Sequence, residues 1–335
     1  MSDKNNSLKK AAISAAVGTA VGAVLAVPPV FLFDYIVKKG RKFEIKDAFK
    51  KRSTEGKRSV IKISREIRKL SEREFEEVSI KSEDGLTLYG KYYRNPVDTN
   101  KLVICMHGYR SSDFYDFACA FDYFMSRGFN VLLASQRAHG KSEGRYITFG
   151  EKERFDCKAW TEYAAKRFGF GCEILLDGVS MGATTVLLAS ALELPHNVKA
   201  IVADCGFTSA WNIVENIMHK SHLSAFPYLY LTNAYSKLKA DFDFKAADTR
   251  KAVALTDIPI FFAHGASDDF VPCGMTIQAF DACASDKKLF IVPGAEHATS
   301  YLKAKDEYEK ELDRFLSKYI KIQSKANAKT AEAKS

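Results

Sequence analysis

The chain holds no C-x-x-C pair, and its seven cysteines are an odd number: Cys105, Cys119, Cys157, Cys172, Cys205, Cys273 and Cys283. That excludes a disulfide framework and a structural zinc site of the usual spacing. Free buried thiols are the default, which favours a reducing compartment or an anaerobic habitat. Basic charge is also missing from most of the length. The net charge is +9 over 335 residues, but residues 38–70 hold 14 Lys or Arg against 4 Asp or Glu, a local excess of +10. Everything else therefore sums to −1, and no aromatic platform or recognition motif accompanies the basic stretch. Nucleic acid is excluded as a partner on these grounds.

Charge is absent altogether from Ala11 to Phe33, a run rich in Ala, Val and Gly. At about 1.5 Å per residue such a run can cross a ~30 Å hydrocarbon core. Residues 11–37 are accordingly expected to form a transmembrane anchor, behind a basic tail, 1–10. Pro28-Pro29 would kink its end, while Ser14, Gly18, Gly22 and Ala26 fall four apart and allow close helix packing. A secretory signal cut after Ala26, or a helix packed on protein or lying on the membrane surface, are the alternatives. The cations after the run outnumber Lys4, Lys9 and Lys10 before it, which places the following domain in the cytoplasm. In the 38–70 segment, Val60, Ile63, Ile67 and Leu70 recur at helical spacing among Arg58, Lys62, Arg65 and Lys69. This basic amphipathic helix suits a juxtamembrane patch on anionic lipid and, equally, an apolar stripe packed on the domain that follows.

What is present is one stretch on which the rest depends, Gly178-Val179-Ser180-Met181-Gly182. It follows the apolar run Ile174-Leu175-Leu176 and precedes the helix formers Ala183 to Leu192. A G-x-S-x-G turn between strand and helix holds its serine in a strained conformation above the sheet edge. Glycines flank it because a Cβ there would collide with the crossing elements. A serine hydroxyl needs a base to take its proton and an acid to orient that base. With this turn, the chain order is serine, acid, histidine. Two later apolar runs end in suitable residues: Pro259 to Asp268, and Leu289 to His297. Only His297, of seven histidines, lies beyond Asp268. Asp204 and Asp269 compete for the role of acid. Asp204 also ends a strand, Val198–Ala203, and reads alternatively as a cap on the backbone N–H groups of Gly206 to Ser209.

These pieces resemble a bacterial α/β-hydrolase of the serine aminopeptidase S33 / BEM46-like group. The resemblance rests on His107-Gly108-Tyr109, Gln136 to Ser142, Gly178 to Gly182, Asp204 to Ser209, His264-Gly265 with Asp268 and Val271-Pro272, and Gly294 with His297. It runs from about Leu70 to Ile320. The chain departs from the group's pattern at Ser135-Gln136-Arg137-Ala138-His139-Gly140, which is often Asp-x-Arg-Gly-His-Gly. Ala183 stands where a second glycine is usual. The resemblance implies the catalytic set Ser180, Asp268 and His297, with the backbone N–H groups of Tyr109 and Met181 as oxyanion donors. It leaves His107, Arg137 and His139 as structural braces, and it calls for no metal and no organic cofactor.

Alternating strand and helix patterns support an α/β-hydrolase fold, a mostly parallel central sheet with helices on both faces. The domain is expected over 71–322, opening with a hairpin turned at Asp84-Gly85 and closing with a helix that buries Tyr308, Leu312, Phe315, Tyr319 and Ile322. The alternation breaks over 208–257, read as a small helical cap holding Trp211, Phe226, Tyr228, Tyr230 and Tyr235. Residues 323–335 form a tail. The expected function is a carboxylic ester hydrolase acting through an acyl-enzyme on Ser180. Its expected substrate is a small-molecule or lipid ester, such as an acylglycerol, with membrane lipid as a partner. A serine peptidase of the S33 group is the alternative, in which Asp241 and Asp243 of the cap are available to bind a free amine. A binding protein without turnover would have lost a triad member, and none is lost.

Overall fold

The computed structural model describes residues 29–39, 54–169 and 171–323. Eight strands form one sheet: β1 Glu76–Lys81, β2 Thr87–Tyr93, β3 Lys101–Met106, β4 Asn130–Ala134, β5 Glu173–Val179, β6 Val198–Asp204, β7 Ile260–Gly265 and β8 Lys287–Val292. Their order is β1-β2-β4-β3-β5-β6-β7-β8. The first hairpin and the β2–β4 pair are antiparallel, and every other pair is parallel. Parallel pairing needs a crossover, and helices supply it on both faces.

The two faces can be read from the period-2 alternation of the central strands. Leu102, Ile104 and Met106 of β3, with Ile174 and Leu176 of β5, share a core with Trp160, Val186 and Leu187. That face is covered by α3 Glu153–Phe168, α4 Met181–Ala189, α7 Thr249–Val253 and α8 Cys273–Ala282. Val103, Cys105 and Leu175 point the other way, onto Phe117, Phe121 and Phe124 of α2 Asp113–Ser126 and onto Tyr308, Leu312 and Phe315 of α10 Lys305–Leu316. The short α9, Ser300–Lys303, precedes α10. The last helix thus covers the face of the final strands: the rings of Tyr308 and Phe315 lie 5.6 and 5.7 Å from that of Phe261 on β7. All seven cysteines are free thiols.

The basic helix forms as α1, Thr54–Ser71. Its stripe of Val60, Ile63 and Leu70 is buried, and Ile67 and Leu70 join the α2 side of the core. Burying each such side chain is worth roughly 1.5–3 kcal/mol, which decides where the apolar face goes. Lys62, Arg65, Arg68 and Lys69 face solvent on the other side.

The interval between β6 and β7 carries α5 Ala210–Lys220 and α6 Tyr228–Ala240, with α7 after them. Their apolar core joins Trp211, Ile213, Val214, Met218 and Leu229 to Phe149, Phe207, Phe242 and Phe244. Two residues from an unexpected place enter it, Phe33 and Val37, both buried. Residues 29–36 are helical, and the Phe33 ring sits 5.1 Å from Tyr235 and 5.5 Å from Tyr146. The C-terminal end of the expected 11–37 span is therefore seated on the domain. Residues 1–28, with the remainder of that span, lie outside the described residues, as do 324–335. No helix among the described residues is long and apolar enough to cross a membrane.

Candidate active site

The site begins where β5 ends. Ser180 adopts φ 57 and ψ −116, a region L-residues avoid. The turn is forced by what surrounds it. A Cβ on Gly178 would stand 2.3 Å from the Gly182 carbonyl oxygen, and one on Gly182 would stand 1.7 Å from the Met106 carbonyl oxygen. The Ser180 N–H donates to the Asp204 carbonyl at 2.8 Å, which pins the turn to β6. Met181 then opens α4, so its N–H is among the first four of a helix, which have no intrahelical acceptor.

Loops after β7 and β8 bring the other two side chains. The Ser180 hydroxyl lies 2.9 Å from His297 Nε2, and His297 Nδ1 lies 2.7 Å from Asp268 Oδ2. With Nδ1 as the donor to the carboxylate, Nε2 is free to accept the serine proton. The other Asp268 oxygen accepts the N–H groups of Phe270 and Val271, each at 2.8 Å. His264, fully buried, places Nε2 3.2 Å from Asp268 Oδ2 and 3.0 Å from the Val271 carbonyl. Burial alone would raise the Asp268 pKa; the hydrogen bonds and charge of His264 and His297 override it and hold the carboxyl well below its usual range. The Phe270 ring packs edge-on to the His297 ring, centroids 5.0 Å apart.

The turn after β3 lies against the nucleophile: a Cβ on Gly108 would stand 3.3 Å from that of Ser180. Asp116 of α2 fixes this turn. Its carboxylate accepts the Gly108 N–H and the Ser111 hydroxyl, both at 2.7 Å. Gly108's donor is thereby spent, and Tyr109 N–H is the next along the turn. The Tyr109 ring stacks on Phe149 at 5.2 Å, and its hydroxyl donates to the Ile36 carbonyl at 2.7 Å. Arg110 donates to the carbonyls of Tyr35 and Lys38 at 2.5 and 3.3 Å. The stretch 29–38 is thus a buttress for the turn that carries Tyr109.

The residues expected to be braces are braces. His107 Nε2 accepts the Gln136 N–H, and its Nδ1 donates to the Gly108 carbonyl. His139 Nε2 accepts the Arg110 N–H while Nδ1 donates to the Arg137 carbonyl. Burial, with His107 beside it, holds His139 neutral, well below its ordinary pKa. Arg137 clamps Asp156 through two nitrogens at 2.6 and 2.7 Å and reaches Asp84. Asp204 differs from its expected role as a cap. It accepts the Ser300 hydroxyl at 3.0 Å. The helix start nearby is capped by Ser209, which accepts the Asn212 N–H. A serine closer to its own helix start leaves Asp204 nothing to cap. Asp269 offers its backbone carbonyl to Lys220.

Three features here carried no signal in the sequence: Asp116 behind the glycine turn, the second imidazole on Asp268, and Cys205. The Cys205 thiol, an Asp268 oxygen and a His297 nitrogen lie within 4.8 Å of one another. That donor set has metal-ligand chemistry, but the Asp268 oxygen and the imidazole are engaged with each other and with Ser180. Burial pushes the thiol well above its ordinary pKa, so it stays protonated and a weak ligand.

Residues 115–323 match the prolyl oligopeptidase family. The uncharacterized protein YqkD of Bacillus subtilis (strain 168) is 26% identical over 304 residues, covering 90% of this chain and 95% of that one. Among solved structures, the Pyrococcus furiosus esterase Pf2001 superposes with a TM-score of 0.62 at 24% identity, over 75% of this chain and 93% of its own. Est1E from Butyrivibrio proteoclasticus, solved with ferulic acid bound, gives 0.54 at 21% identity, over 70% and 97%. The resemblance to the S33 / BEM46-like group therefore holds at the level of the α/β-hydrolase fold, while the family matched is another. The serine turn and the order of the triad are common property of this fold and do not separate its branches. The chain belongs to the prolyl oligopeptidase family and is a serine hydrolase of the α/β-hydrolase fold.

Proposed function

We propose that the chain hydrolyses carboxylic esters of lipid or acylglycerol type through an acyl-enzyme on Ser180. His297 takes the Ser180 proton as the hydroxyl attacks the acyl carbon, then gives it to the leaving alcohol. Asp268 keeps the His297 tautomer and stabilises the imidazolium. The N–H groups of Tyr109 and Met181 receive the oxyanion, each such donor being worth about 2.7–4 kcal/mol in the transition state. Water repeats the sequence to release the acid. Every step moves a proton or an acyl group among these residues and calls for no metal or organic cofactor. The observation behind this reading is the unbroken hydrogen-bonded run from Asp268 through His297 to Ser180.

Esters are favoured because Pf2001 is an esterase by name and Est1E was solved with ferulic acid bound. Lipid esters are favoured by the aromatic cap and by the uncharged composition of residues 11–28. Peptide hydrolysis is kept as a second reading by the family match. Its amine-binding carboxylates find little support, since Asp241 pairs with Lys152 and Asp243 with Lys237. Initial rates on p-nitrophenyl esters of graded chain length, monoacylglycerols and aminoacyl anilides, with Ser180→Ala as the blank, separate the two. Faster turnover of the anilides would reverse the assignment. The reading also includes attachment to the membrane through residues 11–28, with the hydrolase domain in the cytoplasm. Protease treatment of intact cells should leave the domain uncut; its digestion without lysis would refute that location.

A further inference from the structure

Helix α6 buries polar side chains beside Leu229 and Ala240. It buries Thr232, Asn233 and Ser236 and turns Tyr230, Leu231 and Leu238 to the outside, Tyr230 49% and Leu238 81% exposed. Two of the inward polar groups are held by partners, while the Ser236 hydroxyl has none among the described residues. Asn233 donates to Asp243 and accepts the Phe244 N–H, and the Thr232 hydroxyl donates to the Pro29 carbonyl. The outward apolar groups have no such account within the fold. Phe226, 71% exposed, continues the edge, its ring 5.8 Å from that of Tyr230. The neighbouring 29–36 helix repeats the pattern. Phe33 packs inward on Tyr235, while Phe31 and Tyr35, one turn apart, are 72% and 73% exposed. Two helices that touch through Phe33 and Tyr235 thus each expose large apolar side chains. Lysines stand among them. Lys239 is exposed on α6 beside Lys237, which pairs with Asp243, and Lys245 lies 3.8 Å over the Trp211 ring and 4.8 Å over Tyr230. The nearby carboxylates Asp34, Asp241 and Asp243 are each paired with a lysine.

We propose that this outer face of the cap lies on the surface of a phospholipid bilayer. Large apolar and aromatic side chains with lysines among them suit the headgroup boundary, where rings and aliphatic tips enter the acyl region and ammonium groups stay with phosphate. The place where the chain leaves the described structure selects this occupant. Residues 11–28 carry no charged side chain, and they join the fold at Pro29, whose carbonyl is held by α6 itself. A stretch of lipid-compatible sequence is therefore continuous with the helix that exposes Phe31 and Tyr35. The proposal stands on geometry and composition, and it holds or fails whether or not Ser180 turns over an ester.

The test is made on the full chain reconstituted in phosphatidylcholine–phosphatidylglycerol vesicles containing dibrominated phosphatidylcholine. Leu238→Trp places a reporter on the face. Val97→Trp places one on the exposed connection before β3, at the end of the sheet opposite the serine turn. The unsubstituted chain supplies the background of Trp160 and Trp211. Bromolipid should quench the added fluorescence at position 238 at least twofold more than at position 97. Equal quenching at the two positions overturns the proposal. So does a reporter at 238 that is blue-shifted yet unquenched, the result if residues 11–28 or a second copy cover the face.

Discussion

At the scale of single residues, the site is defined by which carboxylate the histidine meets. Asp204 and Asp268 end successive strands, and both are buried. Only Asp268 stands against His297 Nδ1, and it does so with four donors directed at its two oxygens. A carboxylate so held stays ionised through the working pH range. Asp268→Asn keeps the shape but no longer selects the Nδ1–H tautomer. In serine proteases that exchange costs about 10⁴ in kcat, and a loss of that order is expected here in a protein that still folds. Asp204 is in the opposite condition: burial raises its pKa, so a neutral side chain already fits its surroundings. Asp204→Asn should therefore retain activity within about tenfold, by the weight of one net hydrogen bond to Ser300. A well-folded, inactive Asp204→Asn alongside an active Asp268→Asn would mean the acid has been assigned to the wrong strand. Labelling with a fluorophosphonate should likewise vanish in Ser180→Ala, and any residual label would sink the acyl-enzyme.

At the scale of elements, the serine turn and the turn before α2 are built by different means. The first is steric. With a Gly182 Cβ position 1.7 Å from the Met106 carbonyl, β3 and α4 cannot both keep their places once a side chain is added. Gly182→Ala should yield no soluble folded protein, and a folded, active variant would contradict the close crossing. The second turn is held by hydrogen bonds, from Asp116 on one side and from residues 29–38 on the other. Tyr109 is a positioning residue through its hydroxyl, beside the oxyanion role proposed for its N–H. Tyr109→Phe removes the bond to Ile36 and keeps the ring on Phe149. If the loosened turn costs the oxyanion about 1 kcal/mol, kcat should fall roughly fivefold with KM little changed. Removal of residues 1–39 should slow the enzyme at least as much. Wild-type kcat in both variants would show that the N-terminal stretch merely covers the cap.

At the scale of the whole molecule, the parts legible in the sequence were those set by local spacing. The serine turn, the two strand ends bearing Asp268 and His297, and the sheet with its hairpin need only short periodicities and chain order. The 29–37 stretch reads in the sequence as the end of a span because an apolar run, uncharged up to Phe33, records that something apolar covers it, and not what. Phe33 and Val37 find that cover in Tyr235, Tyr146 and the cap core, from residues more than a hundred positions away. Helix α6 was hidden for the same reason, since Thr232 and Asn233 face inward toward partners outside the helix. A buried pair of acids beneath the site escaped notice as well, and it governs a property of the entire fold. Asp177 on β5 and Asp204 on β6 share one face of the sheet, two positions apart in register. Burial, reinforced by Asp204, pushes the Asp177 pKa up to about 8, from an ordinary 3.8. Since the folded pKa is the higher one, the folded state keeps a proton that the unfolded chain gives up above about pH 4. Its contribution is therefore fully present below that pH and is lost as pH rises toward 8, at up to about 1.4 kcal/mol per unit. Asp177→Asn has no proton to lose. Urea unfolding at pH 5, 6, 7 and 8 should show the wild type losing stability relative to Asp177→Asn at each step, because all other titrating groups are common to both. A difference between the two proteins that stays constant across this range would mean that Asp177 is ionised in the fold, and that the charge beneath the serine turn is compensated by a partner other than its own proton.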